Sequence, residues 1–313
     1  MGAQLRVYRR RIRSVQSTKK ITKAMELIAA SRIVKAQQRL AAASPYTQEL
    51  VRSVTAAASH ASGVGKHPLL SPHRLQERAA MLVIAADRGL AGAYSSSVIK
   101  EGEALTALLR DEGKEVVPFL VGRKAIGFYR FRGREVRQSW SGFSEAPTYE
   151  HAREMADALL EIFLKRTEDG GADEIHIVST QFVNTVVQKT VVRRVLPLEV
   201  VEEVVPEEST GAAHADRSKV FALYEFEPSA DAVLDALLPR YVANVIYVAL
   251  LNAAASEQAA RRRAMKSATD NAEELIKTLT RQANSARQAE ITQEISEIVG
   301  GADALAGANA GSE

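Results

Sequence analysis

At 313 residues, 46% hydrophobic and 25% charged, the chain has the composition of a folded protein rather than a disordered one. It contains no cysteine, which excludes a disulfide framework, a thiolate metal site and a cysteine nucleophile. The formal net charge of +3 hides an asymmetry, because residues 1–40 carry eleven Lys or Arg and a single acid, Glu26.

Residues 5–62 are helix-forming and alternate three- and four-residue apolar steps. Ala36, Leu40, Ala43, Leu50, Val54, Ala57 and Ala61 follow a heptad-like seam, as do Ile21, Met25 and Ile28. That spacing predicts a left-handed coiled coil. The two seams differ by a one-residue slip between Ile28 and Ala36, and Pro45 removes a backbone donor, so bending is expected. At 100° per residue, Arg6, Arg9, Arg10, Arg13 and Lys20 fall opposite Leu5, Tyr8, Ile12 and Val15. This basic start has no apolar signal-peptide core and merges into the helix, leaving no room for a cleaved presequence.

Residues 60–78, with two prolines and two glycines, read as the exit from that helix. The run MLVIAA (81–86) has the character of a buried parallel strand. Asp87-Arg88-Gly89-Leu90-Ala91-Gly92 follows it, where α/β folds bind phosphate, but neither GxGxxG nor GxxxxGK[ST] is present. Asp87 also puts negative charge beside any phosphate. A tight turn with Ser95 to Ser97 capping the next helix is the preferred reading. Residues 115–121 and 174–183 read as strands, and 124–131 and 149–166 as helices. Strands alternating with helices predict a mostly parallel sheet of nucleotide-binding-like topology. Residues 199–219, acidic through Glu202, Glu203, Glu207 and Glu208, read as a loop. His60, His67, His73, His151, His176 and His214 show no metal-ligand spacing, and no Ser/His/Asp arrangement is defensible.

Residues 256–304 lack proline and are rich in Ala, Leu, Glu, Lys, Arg and Gln, with Gly300-Gly301 at the expected stop. About 45 residues of helix reach roughly 65 Å, which requires a partner along its length. The two chain ends are therefore read as one antiparallel coiled coil, closely packed through its alanines. No apolar run approaches ~18 residues, so no bilayer span is expected. The fold class is α/β: a long antiparallel two-helix coiled coil plus a central α/β domain. Its expected divisions are 1–62, 63–222 and 223–303, with a frayed tail at 304–313.

Four blocks carry a resemblance to one family. ITQEISEIVGGADA (291–304), preceded by NSARQAE, resembles the signature of the F-type ATP synthase gamma subunit. STKKITKAMELIAASRIVKAQ (17–37), DRGLAGAYSSS (87–97) and LYEFEPSADAVLDALLPRY (223–241) match the same family in order and spacing. The chain lacks the inserted cysteine pair of the redox-regulated chloroplast form.

The resemblance implies a non-catalytic rotor shaft inside a ring of three alpha and three beta subunits. It further implies an epsilon subunit and a c-subunit ring at its foot, no cofactor, and a peripheral place on the cytoplasmic face of the bacterial plasma membrane, reached only through the c ring. Carried over residue by residue, Arg287, Gln288 and Thr292, with Glu294 and Glu297, resemble the catch that meets a beta subunit. Arg261 matches a position in the same rotor–stator contact. Met25 matches a methionine facing an acidic beta-subunit loop, and Tyr224, Glu225 and Glu227 match the foot that meets the c ring and epsilon.

Two other functions fit parts of the chain. A basic coiled-coil nucleic-acid-binding protein accounts for the N-terminal arginines, but aromatics for base stacking are scarce. An α/β enzyme with a dimerisation arm rests only on the strand–turn–helix at Asp87.

Overall fold

The computed structural model describes residues 3–61, 67–70, 76–198 and 225–310. In chain order these form α1 (Ala3–His60), β1 (Arg78–Ile84), α2 (Tyr94–Asp111), β2 (Glu115–Val121), α3 (Arg123–Phe131), β3 (Gln138–Trp140), α4 (Tyr149–Leu164), β4 (Glu174–Phe182), β5 (Gln188–Leu196) and α5 (Ala230–Ala310). Two compact units result, one of Met1–Ala30 with Arg261–Glu313 and one of Ser31–Ala260. The acidic 199–219 segment, Tyr224, His73 and His214 lie outside the described residues.

The Ser31–Ala260 unit is built on a five-stranded sheet of order β3-β2-β1-β4-β5. The first four strands are parallel, as the alternating pattern predicts, while β5 runs antiparallel to β4. Side chains alternate across β1, so Leu82 and Ile84 enter one core and Met81 and Val83 the other. The first core takes Met155, Leu159 and Phe163 from α4 and Leu238, Val242 and Ile246 from α5. The second takes Val98, Leu105 and Leu109 from α2 and Tyr129 from α3. Every residue of α5 from 253 to 260 is buried, the polar Ser256, Glu257 and Gln258 among them. Here α1 lies antiparallel to α5, with Asn244 Nδ2 donating to Thr47 Oγ1 at 3.1 Å.

One 18-residue window of α5 reaches a mean hydropathy of 1.5, long and apolar enough to cross a membrane by length and composition. This corrects the expectation that no run approaches that length. Residues 234–250 of the helix supply Leu234, Leu238, Val242 and Ile246 to the domain core.

The Met1–Ala30 and Arg261–Glu313 unit is a helix pair. Thr22 Oγ1 and Thr269 Oγ1 lie 2.8 Å apart, and Lys19 Nζ is 3.1 Å from Glu273 Oε2. Ascending residue numbers on one helix meet descending numbers on the other, so the pair is antiparallel. The buried or half-buried line on α1 is Leu5, Tyr8, Ile12, Val15, Lys19, Thr22, Glu26 and Ala29. It is an unbroken 3–4 series, which corrects the sequence-based seam. Ile21 and Ile28 are 59% and 53% exposed, and Met25 is half-buried at the margin. No slip is needed, because the same count continues through Ile33, Ala36 and Leu40.

The stop expected at Gly300-Gly301 does not occur, and neither internal proline breaks its helix. α1 continues through Pro45, and α5 through Pro239 and past Gly300-Gly301 to Ala310. No atom lies within 4 Å of a Cβ built at either Gly300 or Gly301. Nothing there forces a left-handed backbone or a stop.

Candidate partner-contact surfaces

Three surfaces carry the sequence-predicted residues. The first is the distal part of α5. Among the described side chains Ala283 is the last buried and Glu290 the last half-buried, and every residue from Ile291 to Ala302 is exposed. Thr292, Glu294 and Glu297 lie on this exposed stretch, and Arg287 and Gln288, also exposed, lie just before it. Thr292 Oγ1 donates to the Gln288 carbonyl at 3.0 Å, and Gln293 Nε2 donates to Glu297 Oε1 at 3.0 Å. These local bonds leave acceptor capacity on the threonine hydroxyl and on the carboxylates. Between the polar residues stand Ile291, Ile295, Ile298 and Val299, 45–71% exposed. Sequence reasoning passed over this apolar stripe, although the steps from Ile291 to Ile295 to Ile298 were legible as a helical face.

Arg261 differs from its companions. It is 5% exposed and already engaged within the chain, whereas its neighbours Arg262 and Arg263 are exposed. An outside partner meets little of it.

The second surface is the outer side of α1. Arg6, Arg9, Arg10, Arg13 and Lys20 are exposed and Leu5, Tyr8, Ile12 and Val15 turn inward, as the helical wheel predicts. Ile21, Leu27 and Ile28 share the outer side with these cations. A hydrogen bond and the charge from Lys19 hold the Glu273 carboxyl below the usual carboxylate range. The third surface, at the start of α5, has Glu225 and Glu227 exposed.

The corner after β1 is closed by its own carboxylate. Asp87 accepts from the backbone N–H groups of Arg123 (3.1 Å), Gly142 (2.8 Å) and Ser144 (3.0 Å). Its own N–H donates to Ser144 Oγ at 3.0 Å. Arg123 opens α3, so the carboxylate takes the place at a helix N-terminus that a phosphate occupies in nucleotide-binding folds. The expected serine cap is corrected: Ala93 precedes α2 without a side-chain cap, and Ser95 Oγ instead accepts from the Ala86 N–H at 3.4 Å. Gly122, with φ of +92°, is required here, because a Cβ would stand 2.3 Å from the Ala85 carbonyl oxygen. Beside the corner an open cleft of about 690 Å³ is lined by Arg88, Lys100, Lys124 and Arg132 with Glu103. Among the described residues no three His, Asp or Glu side chains are placed to hold a metal ion.

Comparison with known proteins matches residues 4–305 to a family model described as ATP synthase. The chain is 60% identical over its whole length, and the whole of the relative, to the ATP synthase gamma chain of Thermobifida fusca. It is 62% identical to that of Kineococcus radiotolerans, over 98% of each chain. The fold is similar to a chain of the Euglena gracilis mitochondrial ATP synthase, with a TM-score of 0.64 at 15% identity over 97% of this chain and 95% of that one. It is also similar to a chain of the Tetrahymena thermophila mitochondrial ATP synthase central stalk and c-ring, with a TM-score of 0.57 at 23% identity over 79% and 99%.

Proposed function

This chain belongs to the ATP synthase gamma-chain family and is a non-catalytic subunit of that complex, and we propose that its helix pair is the central shaft through which ion flow is coupled to nucleotide chemistry on neighbouring subunits. Three alpha and three beta subunits surround the shaft, and the epsilon subunit and c ring meet its foot. The complex sits on the cytoplasmic face of the bacterial plasma membrane, with this chain reaching the membrane only through the c ring.

The observation that carries this reading is the bare distal α5. Twelve successive residues, 291–302, form helix with no side chain buried in their own chain. An isolated helix of that length is marginal in water, so its stability is supplied by what surrounds it. Its faces differ in chemistry, with Arg287 and Glu294 near Ile291 and Ile298, and Gln288 and Thr292 near Ile295. A shaft with unlike faces stabilises a different conformation in each surrounding subunit. Turning it therefore shifts three populations in sequence. Met25 and the cations of α1 would meet an acidic loop of a beta subunit.

The test is reconstitution with cognate alpha and beta subunits, scoring co-elution and ATP turnover together. A stoichiometric complex with one copy of this chain, and turnover that depends on it, supports the shaft reading. Folded partners that neither bind the chain nor change their turnover would sink it.

A further inference from the structure

Within the Ser31–Ala260 unit, α1 is fastened to the sheet domain by polar contacts that converge on one strap, residues 141–149. Arg32 Nη1 donates to Glu145 Oε2, and Arg88 Nη1 lies 3.6 Å from the same oxygen. Further along α1, Tyr46 neighbours Tyr149, whose phenol is pushed up first by burial and then by that neighbour.

The strap is itself anchored. Gly142 and Ser144 donate to the Asp87 carboxylate, Ser144 Oγ takes the Asp87 N–H, and the Phe143 ring stacks on His151 at 3.9 Å. Glu145 thus projects from a bracket tied to the ends of β1 and β3 and to the start of α3. The Glu145 side chain is 21% exposed and that of Arg32 is 42% exposed, so the pair sits at the margin of the unit rather than in its core.

The two long helices are held differently. α5 is buried on all sides from 253 to 260, whereas α1 buries one line of residues. Apolar contact is non-directional, while an ion pair on a fixed bracket is directional and adds a defined register. Resting on the shaft reading above, we infer that Glu145 is a positioning residue of the torque path: through Arg32 it ties α1 to the sheet domain, so that twist leaves through the domain instead of being lost as sliding of α1.

The experiment uses the assembled complex in inverted membrane vesicles, reading ATP-driven proton pumping against ATP hydrolysis as the gradient builds. Glu145→Ala is expected to assemble and hydrolyse ATP at close to the wild-type rate. Its pumping per ATP is expected to fall by about twofold or more under load. Arg32→Ala gives the same loss, and it decides the matter alone should Glu145→Ala fail to assemble. The exchange Arg32→Glu with Glu145→Arg restores most of the ratio, which loss of packing alone would not. An unchanged pumping-to-hydrolysis ratio in assembled single variants, or an exchange that restores nothing, overturns the inference. Wild-type complex that hydrolyses ATP but does not pump would instead overturn the shaft reading on which it rests.

Discussion

Asp87 gathers three backbone N–H groups from two segments, the start of α3 and the strap after β3, and each would otherwise lose a charged acceptor. Asp87→Ala is expected to cost about 2–3 kcal/mol of unfolding free energy, measured by denaturant titration of the chain. A cost within a few tenths would mean that water serves these groups as well as the carboxylate does. A second buried carboxylate links stability to pH. Glu174 is 3% exposed and lies 3.0 Å from both Lys114 Nζ and His176 Nε2. Burial opposes its ionisation, but the bonds from His176 and Lys114 prevail and hold its pKa below the ordinary 4.5. The folded chain therefore binds this proton less readily than the unfolded chain. The contribution is present above pH 4.5 and is lost as pH falls through the lower folded value. Glu174→Gln should flatten that acid limb in unfolding curves recorded across it. An unaltered slope would assign the acid sensitivity to other carboxylates.

At the scale of elements, sequence pattern served where burial and apolarity coincide and misled where they part. The strand at 115–121 and the helix at 149–164 were legible to within two residues because their buried residues are all apolar, and the strand at 174–182 because Ile175, Ile177 and Val178 still mark it among its buried polar residues. β5 was not, because QKTVVRRVL keeps its charges on an edge strand with only Val195 and Leu196 buried. The seam of α1 was misplaced for the same reason. Thr22 and Glu26 sit in it, while Ile21 and Ile28 stay outside, and apolar periodicity follows the isoleucines. A hydroxyl suits the seam because one of Thr22 and Thr269 can donate to the other there while the other donates to its own helix, at the Lys19 or Met265 carbonyl. The glycine pair misled in the opposite direction, since a residue favoured at helix ends is here carried inside one. Each glycine costs roughly 1 kcal/mol of helix propensity relative to alanine. Gly300→Ala with Gly301→Ala, which no neighbouring atom opposes, should raise the helical signal and the amide protection around residue 300. If protection there falls, the pair belongs to a helix stop after all.

For the molecule as a whole, the chain spends its buried surface in one place and leaves its recognition surface in another. The Ser31–Ala260 unit contains both extended apolar cores, whereas beyond Glu290 no described side chain is buried. Five of the residues carried over from the family resemblance lie on exposed helix at 287–297, and they could not have been found by composition or periodicity. Polar residues on an exposed helix look alike whether they meet water or a partner. Only the motif NSARQAEITQEISEIVGG singled them out, and burial now separates Arg261 from the rest. This division gives the contact residues a distinctive signature in experiment. Gln288→Leu and Thr292→Val alter side chains that support no other part of the chain, apart from the local bond from Thr292 to the Gln288 carbonyl. Neither should shift the melting of the free chain beyond about 0.5 kcal/mol. Both are expected to lower ATP turnover by the assembled complex with assembly largely intact, because losing one hydrogen bond to a surrounding subunit costs about 0.5–1.5 kcal/mol, or roughly two- to tenfold. Turnover unchanged in both variants would remove this segment from the contact and leave the apolar line of Ile291, Ile295 and Ile298 as the surface that the surrounding subunits grip.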